Sequence, residues 1–377
     1  MIKLSKSYIG IREKKAVNKV LEKSYLGMGE EVYKFEKKLS LFFKRETLCV
    51  INGTAALQLA LQAIGVGQGD EVIVPSLTYI SSFQAISATG ARPIPCDINL
   101  ETLTIDVNDA QKCISKYTKV IMPVHYAGGV GNLTDIYKFA KKNQIRVVED
   151  AAHAFGTEYR NKKIGNQGDV VCFSFDGIKN ITSGEGGCIT TKDKKALSYI
   201  KDARLLGVKR DSQKRYKNKR SMKFDVSFQG WRYHMSNINA AIGIVQLSRF
   251  EKLASKRKAL AKKYDTILKK YKFIKIINQN YDEVVPHIYP IRILNLANRD
   301  KIIKLLKNKG IEVGYHYQPN HKLSFYKNNR KTSLINTNDI SNQLLTLPLH
   351  PEIKIKDITY ITKNLLSIVR KFINESN

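Results

Sequence analysis

Short apolar runs recur along the first half of the chain and alternate with stretches whose apolar residues fall three and four positions apart. The runs Leu48 to Ile51, Glu71 to Val74, Val120 to Val124, Ile145 to Val148 and Val170 to Phe175 predict buried strands. Between them, Ala55 to Ile64 (AALQLALQAI), Phe83 to Ala88 and Leu133 to Lys142 carry the helical period. Strand and helix in alternation imply an α/β fold with a mostly parallel sheet covered on both faces. After Ser236, NINAAIGIVQLSRFEKLASKRKALAKKYDTILKKY sets apolar residues on one side and lysines on the other, predicting one long helix out of a large domain. Beyond it, Ile274 to Ile293 reads as strands, Arg299 to Lys309 as a helix and Ile358 to Phe372 as a final helix. The expected organisation is a large domain over residues 1–249 and a smaller α/β domain over 250–377. An N-terminal helix around Glu13 to Lys23 is expected to pack near the smaller one.

Composition narrows the class. A chain of 377 residues, 43% hydrophobic, can fill a substantial core. Cys49, Cys96, Cys113, Cys172 and Cys188 show no CxxC spacing and follow no signal peptide, so reduced thiols in a cytoplasm are expected. No apolar run approaches the ~20 residues of a membrane span. Lys plus Arg number 64 against 33 acids, a net charge of +31, which admits a nucleic acid, an anionic membrane or an anionic small substrate as partner. Most of the lysines are spread over helical stretches, as on solvated faces. In KRDSQKRYKNKRSMK, Lys209 to Lys223, eight of fifteen residues are basic and only Asp211 is acidic, so a phosphate-receiving loop competes with a plain solvated one.

Four candidate positions each lie just past a predicted strand, where open α/β sheets bind ligands. Asn52-Gly53-Thr54 opens a helix: Gly53 permits a tight backbone, and Thr54 is either a plain N-cap or part of an anion site. Tyr79, after VIVPSLT, either packs in the core or stacks on a planar ligand. Asp150, in EDAAH after IRVV, is costly to bury without a cation, so it caps a helix, joins an internal salt bridge or meets a protonated ring nitrogen. His153 fits a helix or a site equally. Finally, FSFDGIKNITSGEGG places Ser174 on a strand and Lys179 on the turn after it. The hydroxyl suits a phosphate and the lysine a Schiff base, although a lysine is most often a surface charge.

EDAAHAFGTEYRNKKIGNQGDVVCFSFDGIKNITSGEGG resembles the core of the DegT-type sugar aminotransferases, pyridoxal-phosphate enzymes of the aspartate aminotransferase fold. YLGMGEEVYKFEKKL, NGTAALQLAL, PSLTYISSFQAI, MPVHYAGGVGNLTDI, YHMSNINAAIGIVQL, GYHYQPNH and LPLHP follow in that family's order, so the likeness covers nearly the whole chain. The resemblance implies pyridoxal 5′-phosphate (PLP) as cofactor, with Lys179 carrying it as a Schiff base and later moving a proton. It implies Asp150 on the pyridine nitrogen, Ser174, Thr54 and the backbone of Gly53 on the phosphate, Tyr79 on the ring, and His153 near the phenolic oxygen. It offers His321 as a sugar contact, and Lys209 and Arg210 of the basic loop as contacts to a nucleotide-sugar's diphosphate. L-glutamate as amino donor, a nucleotide-linked keto-sugar as acceptor and a homodimer with shared sites are also implied.

One departure stands out. Where many members read GYNYRM, with an asparagine reaching the partner's phosphate, this chain has Gly230-Trp231-Arg232-Tyr233-His234-Met235, so Arg232 takes the asparagine position. YHMSN resembles members that aminate C4 of a 4-keto-6-deoxy sugar, with C3 amination as the alternative. Family dehydratases carry histidine where this chain has Lys179. A DNA-binding or regulatory protein remains as a rival from another class, without a helix-turn-helix or zinc-finger context in its favour.

Overall fold

The computed structural model describes residues 1–374 apart from 297 and 330, and the elements below lie among them. Its strands are β1 (Thr47–Val50), β2 (Glu71–Pro75), β3 (Arg92–Cys96), β4 (Thr118–Ile121) and β5 (Arg146–Asp150), then the short hairpin β6 (Glu158–Tyr159) and β7 (Lys162–Lys163). β8 (Val170–Ser174) and β9 (Gly187–Thr191) follow, and β10 (Ile274–Ile276), β11 (Tyr289–Ile293) and β12 (Leu344–Leu347) come last. Seven of these form one sheet in the order β1-β9-β8-β5-β4-β2-β3, parallel except for β9, which runs antiparallel to both its neighbours.

The apolar runs are continuous because both faces of this sheet are covered. Ile73, Ile121, Val147 and Val171 point to one face, where Phe35, Phe43, Phe139 and Phe250 pack on them. Their neighbours Val72, Val120, Val148 and Val170 point to the other, under the helix Gly53–Ala63 and Phe83. β10, β11 and β12 make a separate antiparallel sheet whose core includes Leu260, Tyr264, Leu306, Ile361 and Leu365 from three helices. A domain boundary at 249/250, which we propose, leaves the seven-stranded sheet on one side and the three-stranded sheet on the other.

Two expectations are corrected. The long helix divides into Asn237–Ser248 and Phe250–Leu268 at Arg249, whose φ of −111° and ψ of 0° leave the helical range. Arg249 Nη1 there donates to Glu13 Oε1 at 2.6 Å, and Gln246 Nε2 donates to the same oxygen at 2.8 Å. Glu13 therefore draws the N-terminal helix Ile11–Glu22 onto Asn237–Ser248 rather than onto the smaller sheet. The segment before it reaches that sheet's surroundings: Ile2 bridges Ile311.

Asp211 and Ser212 anchor the basic loop, whose other residues are mostly exposed. Asp211, buried, accepts from the backbone N–H and the hydroxyl of Ser221 and from Arg215. Tyr216 donates to Glu36 at 2.5 Å and accepts from Arg204 at 2.7 Å. With its turns pinned from below, the lysines of the loop project from a fixed platform.

Candidate active site

β1, β2, β5 and β8 end on the same edge of the sheet, and the chain leaving each end contributes to one cavity of about 520 Å³. Asn52, Gly53 and Thr54 come from the first end, Tyr79 from the second, Asp150 and His153 from the third, and Ser174, Asp176 and Lys179 from the fourth. His287, which precedes β11, and His316 and Tyr317 close it from the C-terminal part of the chain. A wider groove of about 740 Å³ runs beside Tyr137 and Lys141, but there the Glu149 carboxylate is already held by Tyr137 at 2.6 Å and by His125 at 2.7 Å. The chemistry assigns the smaller cavity.

Lys179 is held there as a poised amine. Its Nζ lies 3.4 Å from His287 Nε2. Burial lowers its pKa to about 8; Asp176 and Asp150 oppose that fall and Arg257 adds to it. Burial, with Lys179 beside them, drives His153 and His287 well below the ordinary histidine range and His316 down to about 4, so these rings stay neutral at neutral pH. His153 Nδ1 accepts from the backbone N–H of Ala127, which leaves its Nε2 to donate to the Tyr317 hydroxyl at 3.0 Å.

The residues fit PLP. Asp150 is buried, accepts from Ser82 Oγ at 2.7 Å and from Ala152 N at 3.1 Å, and has no ion-pair partner among the described residues. A buried carboxylate in that state matches a protonated ring nitrogen. Gly53 leaves the start of its helix open: a Cβ there would lie 2.9 Å from Ser174 Cβ. Backbone N–H groups and the Ser174 hydroxyl thus flank a space suited to a phosphate. Asn52, not Thr54, caps that helix, accepting from Ala55 N at 2.8 Å, while Thr54 Oγ1 bonds Ser81 Oγ. Tyr79 is 56% exposed, which removes the core-packing reading, and its ring stands 5.7 Å from that of Tyr317 over the cavity.

The model of the DegT/DnrJ/EryC1/StrS aminotransferase family matches residues 7–366. The chain belongs to this family. Among its curated relatives, the uncharacterized protein MJ1066 of Methanocaldococcus jannaschii is 33% identical over 98% of this chain and 96% of its own. Spr1654 from Streptococcus pneumoniae, solved in apo, PLP and PMP forms, superposes in its PMP form with a TM-score of 0.92 at 29% identity, covering 100% of this chain and 99% of that one. PseC of Helicobacter pylori, an aminotransferase involved in the biosynthesis of pseudoaminic acid, gives a TM-score of 0.89 at 26% identity, over 97% and 98% of the two chains. As a DegT/DnrJ/EryC1/StrS aminotransferase, this chain has the PLP-type aminotransferase fold and is a PLP-dependent sugar aminotransferase.

Four expected contacts lie elsewhere in the same chain. His321 is buried away from the cavity, bonded to Ser76 Oγ at 2.7 Å and to Asn338 Oδ1 at 3.1 Å, so it braces the loop after β2. Lys209 faces Asp225 at 3.9 Å, and Arg210 opens a short helix of the basic loop. Arg232 lines a small separate cavity with Asp211, Arg215 and His234. The sequence alone does not single out His287, His316 or Tyr317. The last two stand in GYHYQPNH, and His287 sits two residues before a strand, at the opposite end from the positions that marked the others.

Proposed function

We propose that the protein transfers an amino group from L-glutamate to a keto-sugar carried on a nucleoside diphosphate, at C4 of a 4-keto-6-deoxy sugar, with C3 amination as the alternative. The observation that carries this reading is Lys179: a buried amine in a cavity that also presents an unpaired carboxylate, Asp150, and an open helix start. PLP, when bound, supplies the electron sink that lets a carbon next to nitrogen lose its proton. Asp150 would hold the ring nitrogen, Ser174 and the backbone at Gly53 and Thr54 the phosphate, and Tyr79 one face of the ring. Lys179 is the group that removes and returns the proton, and a pKa of about 8 suits a base working near neutral pH. Glutamate leaves as 2-oxoglutarate before the sugar enters, a ping-pong order that lets both substrates use one cavity.

The pinned basic loop supports the nucleotide part of the reading. Lys209 and Arg210 lie outside the cavity of their own chain, so in a homodimer they would meet the diphosphate bound to the partner, and Arg232 would reach the partner's phosphate. No helix among the described residues is long and apolar enough to cross a membrane; a cytoplasmic enzyme feeding surface-glycan assembly completes the proposal. The test is a visible spectrum of the purified enzyme. L-glutamate should bleach the band, and one member of a panel of nucleotide-linked keto-sugars should restore it, the product's position being read by NMR. A band that L-glutamate leaves untouched, or that free keto-sugars restore as well as nucleotide-linked ones, would overturn the donor or the acceptor.

A further inference from the structure

Arg257 is buried on the helix Phe250–Leu268, and it has no ion pair among the described residues. Its Nη1 donates to the carbonyls of His287 at 3.0 Å and Leu349 at 3.1 Å, and its Nη2 to that of Ile178 at 3.4 Å. Two of these carbonyls flank the chemistry. Ile178 directly precedes Lys179, and His287 carries the imidazole whose Nε2 faces the lysine amine. A single rigid fork therefore grips the backbone on both sides of the lysine–histidine contact, from a helix that contributes nothing else to the cavity.

A guanidinium buried against carbonyls alone is expensive, and an apolar side chain of similar length would fill the same space without that cost. The arrangement makes sense if the charge and the fork are both used. We propose that Arg257 is a positioning residue for the transamination, fixing Lys179 against His287 and keeping a positive charge behind the lysine amine. The other groups acting on Lys179 are Asp150 at the end of β5 and Asp176 after β8, with His153, His287 and His316 around the cavity and Glu185 on its rim. The histidines are neutral, which leaves Arg257 as the cation opposing the two aspartates. Its effect on Lys179 has the matching direction, towards the neutral amine.

The inference rests on Lys179 being the cofactor lysine, and the experiment separates the two claims. The visible band of the PLP-loaded enzyme is titrated with pH in the wild type, Arg257→Gln and Arg257→Lys, and the rate at which the amino donor bleaches it is followed. Arg257→Gln removes the charge and should move the midpoint upward by about one pH unit, the size of shift a close buried charge produces. Arg257→Lys keeps the charge but not the three-carbonyl fork; its midpoint should stay near the wild type while bleaching slows about tenfold or more through lost alignment. A midpoint unmoved in Arg257→Gln would overturn the electrostatic role, and wild-type bleaching in Arg257→Lys would overturn the clamp. If Arg257→Gln does not fold, the bleaching rate of Arg257→Lys decides alone. A wild-type band that fails to appear would instead refute the assignment of Lys179.

Discussion

Among the described residues, the two most deeply buried arginines, Arg204 and Arg257, are buried in opposite ways. Arg204 has its guanidinium against the Glu36 carboxylate at 2.5 Å, with Cys49 O, Ser212 Oγ and Tyr216 Oη completing its partners. Its pKa is raised: burial alone would lower it, and the charge of Glu36 more than reverses that. Arg257 has only carbonyls, and burial pulls its pKa down to about 10, so it remains charged at neutral pH. Arg204 ties the basic loop to the helix Glu30–Phe43 and to β1, which is architecture. Arg257 stands behind the lysine of the site. The paired charge of Arg204 holds the fold together, whereas the unpaired charge of Arg257 lies where its field acts on the lysine, as perturbed groups around active sites do. Arg45, held by the Gly168 and Asp169 carbonyls, shows that a carbonyl-bonded buried arginine also occurs away from the cavity.

The largest effect belongs to the group on which the unpaired charge acts. Lys179→Ala should lower turnover by about 10⁴-fold or more, while PLP still binds without the covalent link. Steady-state assays alongside equilibrium dialysis of the cofactor check both halves, and retained turnover would remove Lys179 from the mechanism. Asp150→Asn comes next: losing the carboxylate should slow the donor half-reaction about 100-fold with the protein still loaded, as stopped-flow bleaching of the band would show.

Arg204→Met breaks the paired side of the comparison. It strands the Glu36 carboxylate in the core with Tyr216 and the Cys49 N–H as its remaining donors, and should cost about 4 kcal/mol in chemical denaturation. A loss under about 1 kcal/mol would mean that Tyr216 and the Cys49 N–H are enough to hold Glu36 in the core.

Much of this contrast was invisible in the sequence. The five predicted strands appear within a few residues of their expected places, because a sheet covered on both faces demands unbroken apolar runs, and the site residues at their ends came with them. β3 escaped notice since Pro93 and Pro95 argue against a strand; it is tolerated as the sheet's edge, where a missing N–H needs no partner. Arg257 was hidden differently. In SKRKALAKK it is one cation among five, and only the packing of the helix sends that one inward while Lys256, Lys258, Lys262 and Lys263 stay nearer solvent. His321, by contrast, looked like a site residue from its motif and serves the loop after β2.

The charge of Lys179 should also be visible in stability before any cofactor is added. A lysine normally titrates near 10.5, and here burial lowers that to about 8. Below about pH 8 both folded and unfolded chains carry the proton, so the native state bears the full burden of a buried ammonium, roughly 3 kcal/mol. Between 8 and 10.5 the unfolded chain keeps a proton that the folded one has released, so this burden fades as pH rises. Cofactor-free Lys179→Met should therefore be more stable than the cofactor-free wild type at pH 7, and the gap should close towards pH 10.5. A gap independent of pH would show that the amine is solvated and titrates alike in the folded and unfolded chains.

Arg257→Met gives the smallest change and the sharpest contrast with Arg204→Met. It deletes a charge whose burial nothing neutralises, which favours the folded state, and leaves three carbonyls without their donor, which opposes it. The two effects are of similar size, so stability should stay within about 1 kcal/mol of the wild type, against about 4 for Arg204→Met with the same residue introduced. Denaturant midpoints of the two variants, measured side by side in the cofactor-free state, test this. If Arg257→Met were as damaging as Arg204→Met, the three-carbonyl fork would be structural mortar like the Glu36 pair, and the distinction between charge kept for the fold and charge kept for the lysine would fail.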